Sequence, residues 1–264
     1  MTLPTQEEIE SWIEISRGLI DDKLQQIKEG PIKQSRYTTI ALSYASLGRA
    51  KALRGDPPEQ WREGYREAAR AVLMSFRMAY DDTLAEYLGD NTDYSEVSEV
   101  DAVDGITYAL ASSDFELARE LANWTRDRGD GKKMQMETRN YVFGLKHFLL
   151  SHSEKANPLL DATLEKYGAN PPKGGYKRNY HSLTVALSGI VNKNQALFEA
   201  GLHQQAAFYK GLAQGENADT SHEHVDDHLV ALGNLGIYHG LKVPAGIPYL
   251  PTNMLISVNP PLSR

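Results

Sequence analysis

The sequence predicts an all-α fold, an irregular helix-pair bundle or superhelix of tetratricopeptide-like character with an extended C-terminal tail, on three observations. Apolar residues recur at three- and four-residue steps along most of the chain. No segment sustains the alternating pattern and hairpin signals of paired strands. Short polar breaks separate the helical runs, which favours antiparallel neighbours. With 264 residues, 41% of them hydrophobic, the chain can bury a substantial core and reads as one unit over 1–264.

The first helix opens at Thr5, which with Glu8 has the spacing of a capping box; Ile9, Trp12, Ile13, Ser16, Leu19, Ile20, Leu24 and Ile27 form its stripe. It stops near Glu29, where Gly30-Pro31 cannot continue it. A second helix carries Tyr37, Ile40, Ala41, Tyr44, Leu47 and Gly48 on one side, the small residues admitting a close neighbour, and ends at Gly55-Asp56-Pro57-Pro58. In the third, Trp61, Tyr65, Ala68, Val72, Phe76, Ala79, Tyr80, Thr83, Leu84 and Tyr87 extend the stripe over about 30 residues, or roughly 45 Å. After a polar linker over 89–98, a short helix is expected over 100–111. Ser113-Asp114 then opens another through Trp124, with Phe115, Ala118, Leu121, Ala122 and Thr125 inward.

Gly129-Asp130-Gly131 breaks the chain before a helix marked by Tyr141, Val142, Leu145, Phe148 and Leu149. Another spans 153–167, with Leu159, Leu160 and Leu164 buried and Pro158 in its first turns. The stretch 168–176, GANPPKGGY, cannot continue a helix and is a candidate joint between subdomains. Three further helices are expected over 177–191, 195–213 and 223–239. From Val243 onward Pro244, Pro248, Pro251, Pro260 and Pro261 make an extended tail laid across the helices. Helix, small-residue turn and Ala-rich helix recur near positions 55, 113, 152 and 201, unevenly spaced, as in a loose array of helix pairs whose grooves bind other proteins.

The chain has no Cys, which removes disulfides, thiolate metal ligands and a Cys nucleophile, and fits a reducing compartment. MTLPTQEEIESWIEI carries acids where a secretory leader carries Lys or Arg, and no apolar run reaches the roughly 18 residues of a membrane span. A cytoplasmic protein without membrane contact is expected. A formal charge of −7 argues against nucleic acid as a partner, because neutralising phosphates takes clustered Lys and Arg.

Charge is concentrated in two places. The stretch 81–104, DDTLAEYLGDNTDYSEVSEVDAVD, holds nine acids, Asp81, Asp82, Glu86, Asp90, Asp93, Glu96, Glu99, Asp101 and Asp104, with no Lys, Arg or His among them. Such a run is either a solvated face or a surface kept for a basic partner. The interleaved Tyr87, Tyr94, Leu84, Leu88, Val97 and Val100 are what an interface uses and what a solvating tail lacks. Asp81, Asp82 and Glu86 also oppose the dipole at the expected end of the third helix, where they cost local stability. Glu216, Asp219, Glu223, Asp226 and Asp227 form a second stretch free of Lys and Arg.

Catalytic signatures are sparse. His224 and His228 stand four apart near Glu223 and Asp227, a spacing at which two imidazoles can share Zn²⁺. The pattern is not HExxH, and two nitrogens alone do not close a site, so no metal is assigned. There is no GxSxG and no P-loop spacing; Lys173, Lys177 and Arg178 read as solvated loop charges. Adjacent carboxylates such as Asp226-Asp227 diverge by about 100° on a helix and do not face one reacting centre. No catalytic residue and no cofactor is expected.

The block LGRAKALRGDPPEQWREGYREAARA, the segment TYALASSDFELARELA and a Leu-rich closing helix running into Pro248-Tyr249-Leu250-Pro251 with Leu255 resemble the all-helical immunity protein 49 family of bacterial polymorphic toxin systems. The resemblance is one of layout, spread over most of the chain. It implies a cytoplasmic antidote that binds a cognate secreted toxin, often a nuclease delivered between bacteria, and it brings no catalytic residues with it. Acidic surface occupying a basic groove is the corresponding expectation for the two acidic stretches. The competing expectations are a helical-repeat scaffold or adaptor without inhibitory action, and a metal-dependent enzyme using His224 and His228.

Overall fold

The computed structural model describes residues 3–30, 33–127, 134–168 and 170–257. Among them are ten α-helices and no strand: α1 Gln6–Glu29, α2 Gln34–Arg54, α3 Pro58–Tyr80, α4 Glu99–Ala111, α5 Phe115–Trp124, α6 Met136–Leu149, α7 Ser153–Tyr167, α8 Gly175–Val191, α9 Gln195–Ala213 and α10 Asp227–Tyr238. No helix among the described residues is long and apolar enough to cross a membrane. The break at 129–131, Pro31 and the last two prolines of the tail lie outside the described residues.

Local chemistry sets most boundaries. Thr5 and Glu8 form the capping box of α1, Glu8 N donating to Thr5 Oγ1 at 3.2 Å and Thr5 N to Glu8 Oε2 at 2.7 Å. Ser98 and Asp101 do the same for α4. The even-numbered helices share one ending, a residue at positive φ followed by an N–H that reaches back five residues. The residues are Gly55, Ser113, Ser151, Lys193 and Gly240, and the bonds include Asp56 N to Lys51 O at 3.0 Å and Asn194 N to Gly189 O at 2.8 Å. Asp114 and Asn194 then cap the next helix. These are the helix-pair turns that the sequence pattern suggested, except that the one expected near 201 lies inside α9 and its true counterpart is at Lys193.

Each helix from α1 to α9 packs on its chain neighbour, and α10 returns against α4, α8 and α9 to close a bundle. One hydrophobic cluster runs from Ile40 in α2 to Met254 in the tail and includes residues on both sides of the 170–174 loop. At two crossings only glycine fits: a Cβ on Gly64 would stand 2.9 Å from Gly48 Cα, and one on Gly201 2.2 Å from Ala186 N. The tail is fastened by Asn234, fully buried in α10, which donates to Leu110 O and Ala111 O and accepts from Ile256 N at 2.9 Å.

Several boundaries differ from the periodicity. On α1, Leu19 and Leu24 face outward, at 44% and 37% exposure, so the stripe narrows to Ile9, Ile13, Ser16 and Ile20. On α7, Leu160 is buried, but Leu159 and Leu164 are only half-buried. α8 starts at Gly175, inside the expected loop, and the linker over 89–98 holds two 3-10 turns, Gly89–Asn91 and Tyr94–Val97. α3 ends at Tyr80 rather than running on to Tyr87. There Asp81 accepts from Thr83 N at 3.1 Å and Thr83 Oγ1 at 2.5 Å, a local turn that competes with the helix. α10 starts at Asp227, because Asp226 caps it, and the 3-10 turn Ser221–Glu223 precedes it.

Candidate functional site

Both acidic stretches are partly consumed by the fold. Asp81 pairs with Arg77 at 2.9 Å, so it does not stand uncompensated at the end of α3. Asp101 is spent on its capping box, and Glu99, 7% exposed, is not surface. Glu96 accepts from Thr38 Oγ1 at 2.8 Å. Asp93 is held on both sides: its carboxylate accepts from Ser95 N and Oγ, and its N–H donates to Oε1 of the buried Gln34, whose Nε2 donates to Ser75 O. What this segment presents outward is Asp82, Asp90 and Asp93 with Tyr87 and Tyr94, the tyrosines 43% and 45% exposed, and the half-buried Glu86.

In the second stretch, Glu216 and Asp219 are exposed and Glu223 is half-buried. Asp226 and Asp227, at 1% and 8% exposure, are buried and not on the outer surface. Asp227 pairs with Arg49, itself 1% exposed, and accepts from Tyr65 OH at 2.6 Å; Arg49 Nε also donates to Ser221 Oγ at 3.3 Å. Asp226 accepts from His228 N at 2.9 Å and from Gln205 Nε2 at 2.9 Å. Gln205 in turn accepts from Ser182 Oγ and donates to Asn179 Oδ1.

His224 and His228 do not share a helix face. His224 follows the 3-10 turn and packs against Trp12, with ring centroids 5.9 Å apart. His228 lies in α10, its Nδ1 3.1 Å from Thr107 Oγ1. Among the described residues no group of three or more His, Asp or Glu is arranged to hold a metal.

The two stretches nevertheless meet. A cleft of about 250 Å³ opens where α4, α8, α9 and the start of α10 converge, lined by Asp104, Thr107, Tyr108, Gln205, Asp226, Asp227 and neighbours that include Glu216 and His222. Leu42, Asp104 and Tyr108 also line an adjoining crevice of about 20 Å³ with Glu96 and Asp101. The groove so formed draws Glu96, Asp101 and Asp104 from the first stretch and Glu216, Asp226 and Asp227 from the second, and among the described residues no Lys or Arg lines it. A wider concavity of about 690 Å³ beside α5 carries both signs of charge, with Arg119 paired to Glu116 and Asp114 to Arg66.

Burial governs the electrostatics of the cleft. It pushes the Asp104 carboxyl up to about 7, with Asp101 and Asp227 adding to the effect, and the Asp226 carboxyl up to about 7. It pulls His228 down to about 4, and burial together with Arg49 and His228 holds His222 well below the usual imidazole range. The raised carboxyls have a testable consequence. Between the ordinary carboxylate pKa and about 7 the folded chain binds a proton at Asp226 that the unfolded chain does not. That contribution to stability is complete below about pH 4 and is lost as pH rises through 7. Asp226→Asn is therefore expected to gain on the wild type by roughly 2 kcal/mol between pH 5 and 8. Urea unfolding at the two pH values measures the difference, and the oppositely signed contributions of His222 and His228 cancel in the comparison.

The sequence points to the carboxylates but not to the residues that line the cleft with them, Thr107, Tyr108, Asn179, Gln205 and Tyr209, nor to Arg49 and Tyr65, which hold Asp227 from the interior. One signal was available, since Arg49 interrupts a run of small inward-facing residues, Leu47-Gly48-Arg49-Ala50, where a charge needs a buried partner. No protein-family description, no curated protein and no solved structure matches the chain.

Proposed function

We propose that the protein is an immunity protein, which binds a cognate secreted bacterial toxin stoichiometrically and neutralises it, a nuclease being the toxin class best suited to its charge. The observation that carries this reading is the convergence of both acidic stretches on one groove with no Lys or Arg among the described residues of its lining. Beside Glu96, in the same 3-10 turn and its cap, stand the exposed Tyr94 and Asp93, and Leu42, 52% exposed, sits at the junction of crevice and cleft. Carboxylates around aromatic and aliphatic anchors suit a basic protein surface. A nuclease is basic where it holds phosphate, so an acidic face occupies that groove with fast, salt-sensitive association, the carboxylates standing in for phosphates. The resemblance to the immunity protein 49 family points the same way, and a cytoplasmic site of action follows from the reading.

Reversing Asp82, Asp90, Asp93 and Glu96 to Lys tests the surface. Helicity by circular dichroism is expected to stay unchanged, while affinity for the toxin encoded by the neighbouring gene falls by about 30-fold or more at low salt, mainly through slower association. Unaltered affinity would remove this face from the mechanism. Binding that leaves toxin activity intact would favour the adaptor reading.

A further inference from the structure

We propose that the cleft between α4, α8, α9 and the start of α10 is a receptor for one guanidinium group, the head of a single arginine side chain inserted by the bound protein. The carrier of the group rests on the reading of the groove as the toxin-binding face; the preference for the cation rests on the cleft itself.

At about 250 Å³ the cleft is smaller than the roughly 300–1,000 Å³ of sites for drug-sized ligands, and suits one side-chain head with part of its stem.

Two polar groups of the cleft have no partner among the described residues. Tyr108 is 5% exposed, its ring packed on Tyr65, and it lines the cleft, yet its hydroxyl makes no hydrogen bond with the described residues. Asp104, one helical turn earlier on α4 and so on the same face, lines the cleft with a carboxylate that likewise receives no hydrogen bond from them. The hydroxyl of the buried Tyr108 and the half-buried Asp104 carboxylate thus open on one face into the cleft, where an outside group can complete their bonding.

Two of the cleft's donor groups are spent internally: Gln205 Nε2 on Asp226 and Asn179, and Tyr209 OH on the carbonyls of His222 and Val225. Arg49 accounts for Asp227, and no cation accounts for Asp104. Asp104 leaves carboxylate oxygen on offer, and the Tyr108 hydroxyl accepts as well as donates, so the pair suits a cation rich in donors. Guanidinium has five N–H donors in a planar fork, is always charged and sheds water more readily than an ammonium ion. Leu42 at the mouth gives the methylene stem an apolar surface to lie on.

The test titrates the full-length protein, followed by NMR, with N-acetyl-arginine-methylamide, the uncharged citrulline counterpart and free agmatine. Saturable binding of the arginine amide is expected, with no binding of the citrulline amide. Affinity should weaken at least tenfold in Asp104→Asn and about threefold or more in Tyr108→Phe, and stay unchanged in the surface control Asp161→Asn, exposed on α7 and outside the cleft lining. Both cleft variants are checked for native dispersion, and Tyr108→Phe, which removes only a hydroxyl, keeps the test decisive should Asp104→Asn not fold. Absence of saturable binding, equal binding of the citrulline amide, or undiminished binding in both cleft variants would overturn the proposal. Agmatine binding more than tenfold tighter than the arginine amide would assign the cleft to a free small cation and overturn the side-chain carrier. The immunity reading fails separately: if no toxin is neutralised while the arginine amide binds as expected, that reading falls and the cleft's specificity stands. A toxin complex indifferent to Asp104→Asn refutes the cleft and leaves the immunity reading in place.

Discussion

Arg49→Ala is expected to lower the unfolding free energy by about 3–5 kcal/mol. The guanidinium is 1% exposed and pairs with Asp227, which also accepts from Tyr65 OH and is 8% exposed. Removing the cation leaves a carboxylate in the interior with a tyrosine hydroxyl as its remaining partner, and it takes from Ser221 Oγ the bond that Arg49 Nε donates. The loss comes mostly from the orphaned charge rather than from the worth of the pair, and a double substitution separates the two. Arg49→Met with Asp227→Leu replaces both ions by apolar groups and should be less destabilised than Arg49→Met alone, a coupling of opposite sign to simple additivity. Urea unfolding of the three variants measures this. A cost below about 1 kcal/mol for Arg49→Ala would show that the pair is not buried as described.

The second large effect is steric. Gly201→Ala places a Cβ 2.2 Å from Ala186 N and 2.5 Å from its Cα, and Gly189→Ala places one 2.3 Å from Phe198 N. These neighbours are backbone, so relief requires α8 and α9 to separate along a contact that includes the fully buried Leu183, Leu187, Phe198 and Leu202. Each substitution should cost about 3 kcal/mol or more, at the upper end of what overpacking produces, and lower Tm by roughly 6–12 °C. An internal control lies on the same helix. At Gly211 a Cβ meets nothing within 4 Å, so Gly211→Ala is expected to be neutral or to stabilise by up to about 1 kcal/mol through helix propensity. Opposite signs for one substitution at two positions of α9 would establish the close crossing.

How much of this was legible in the sequence follows the range of the interaction. The capping box of Thr5 and Glu8, the Gly55-Asp56-Pro57-Pro58 stop and the Ser113-Asp114 turn are decided within a few residues, and they are where the sequence puts them. The end of α3 was also local, but Thr83, Leu84 and Tyr87 kept the helical period while the competing signal was a single Asp-to-Thr turn at Asp81. The start of α10 shifted from Glu223 to Asp227 because Thr220 and Asp226 cap two successive short elements, and periodicity does not distinguish one cap from the other.

The candidate site was half legible for the same reason. Composition shows that 81–104 and 216–227 are acidic, and Asp82, Asp90 and Asp93 are exposed as such a segment should be. The interior placement of Asp227 depends on Arg49, 178 residues away, and the cleft depends on α4, α8, α9 and α10 meeting. Pairing at that distance leaves no mark in either segment alone. Asp226 and Asp227 therefore move from the outer surface to the wall of a cleft, and Asp104 gains a role that its place at the end of a charge run did not suggest.

The account stands on one claim, that an acidic groove holds a basic protein and silences it. The most direct measurement mixes the purified protein with the product of the neighbouring gene and follows complex formation and toxin activity together as salt is raised from 50 to 500 mM. The account predicts a stoichiometric complex that abolishes the activity, weakens steeply with salt, and loses at least tenfold in affinity with Asp104→Asn. A toxin that stays active in saturating amounts of the protein, or inhibition indifferent to both salt and the groove carboxylates, would contradict it.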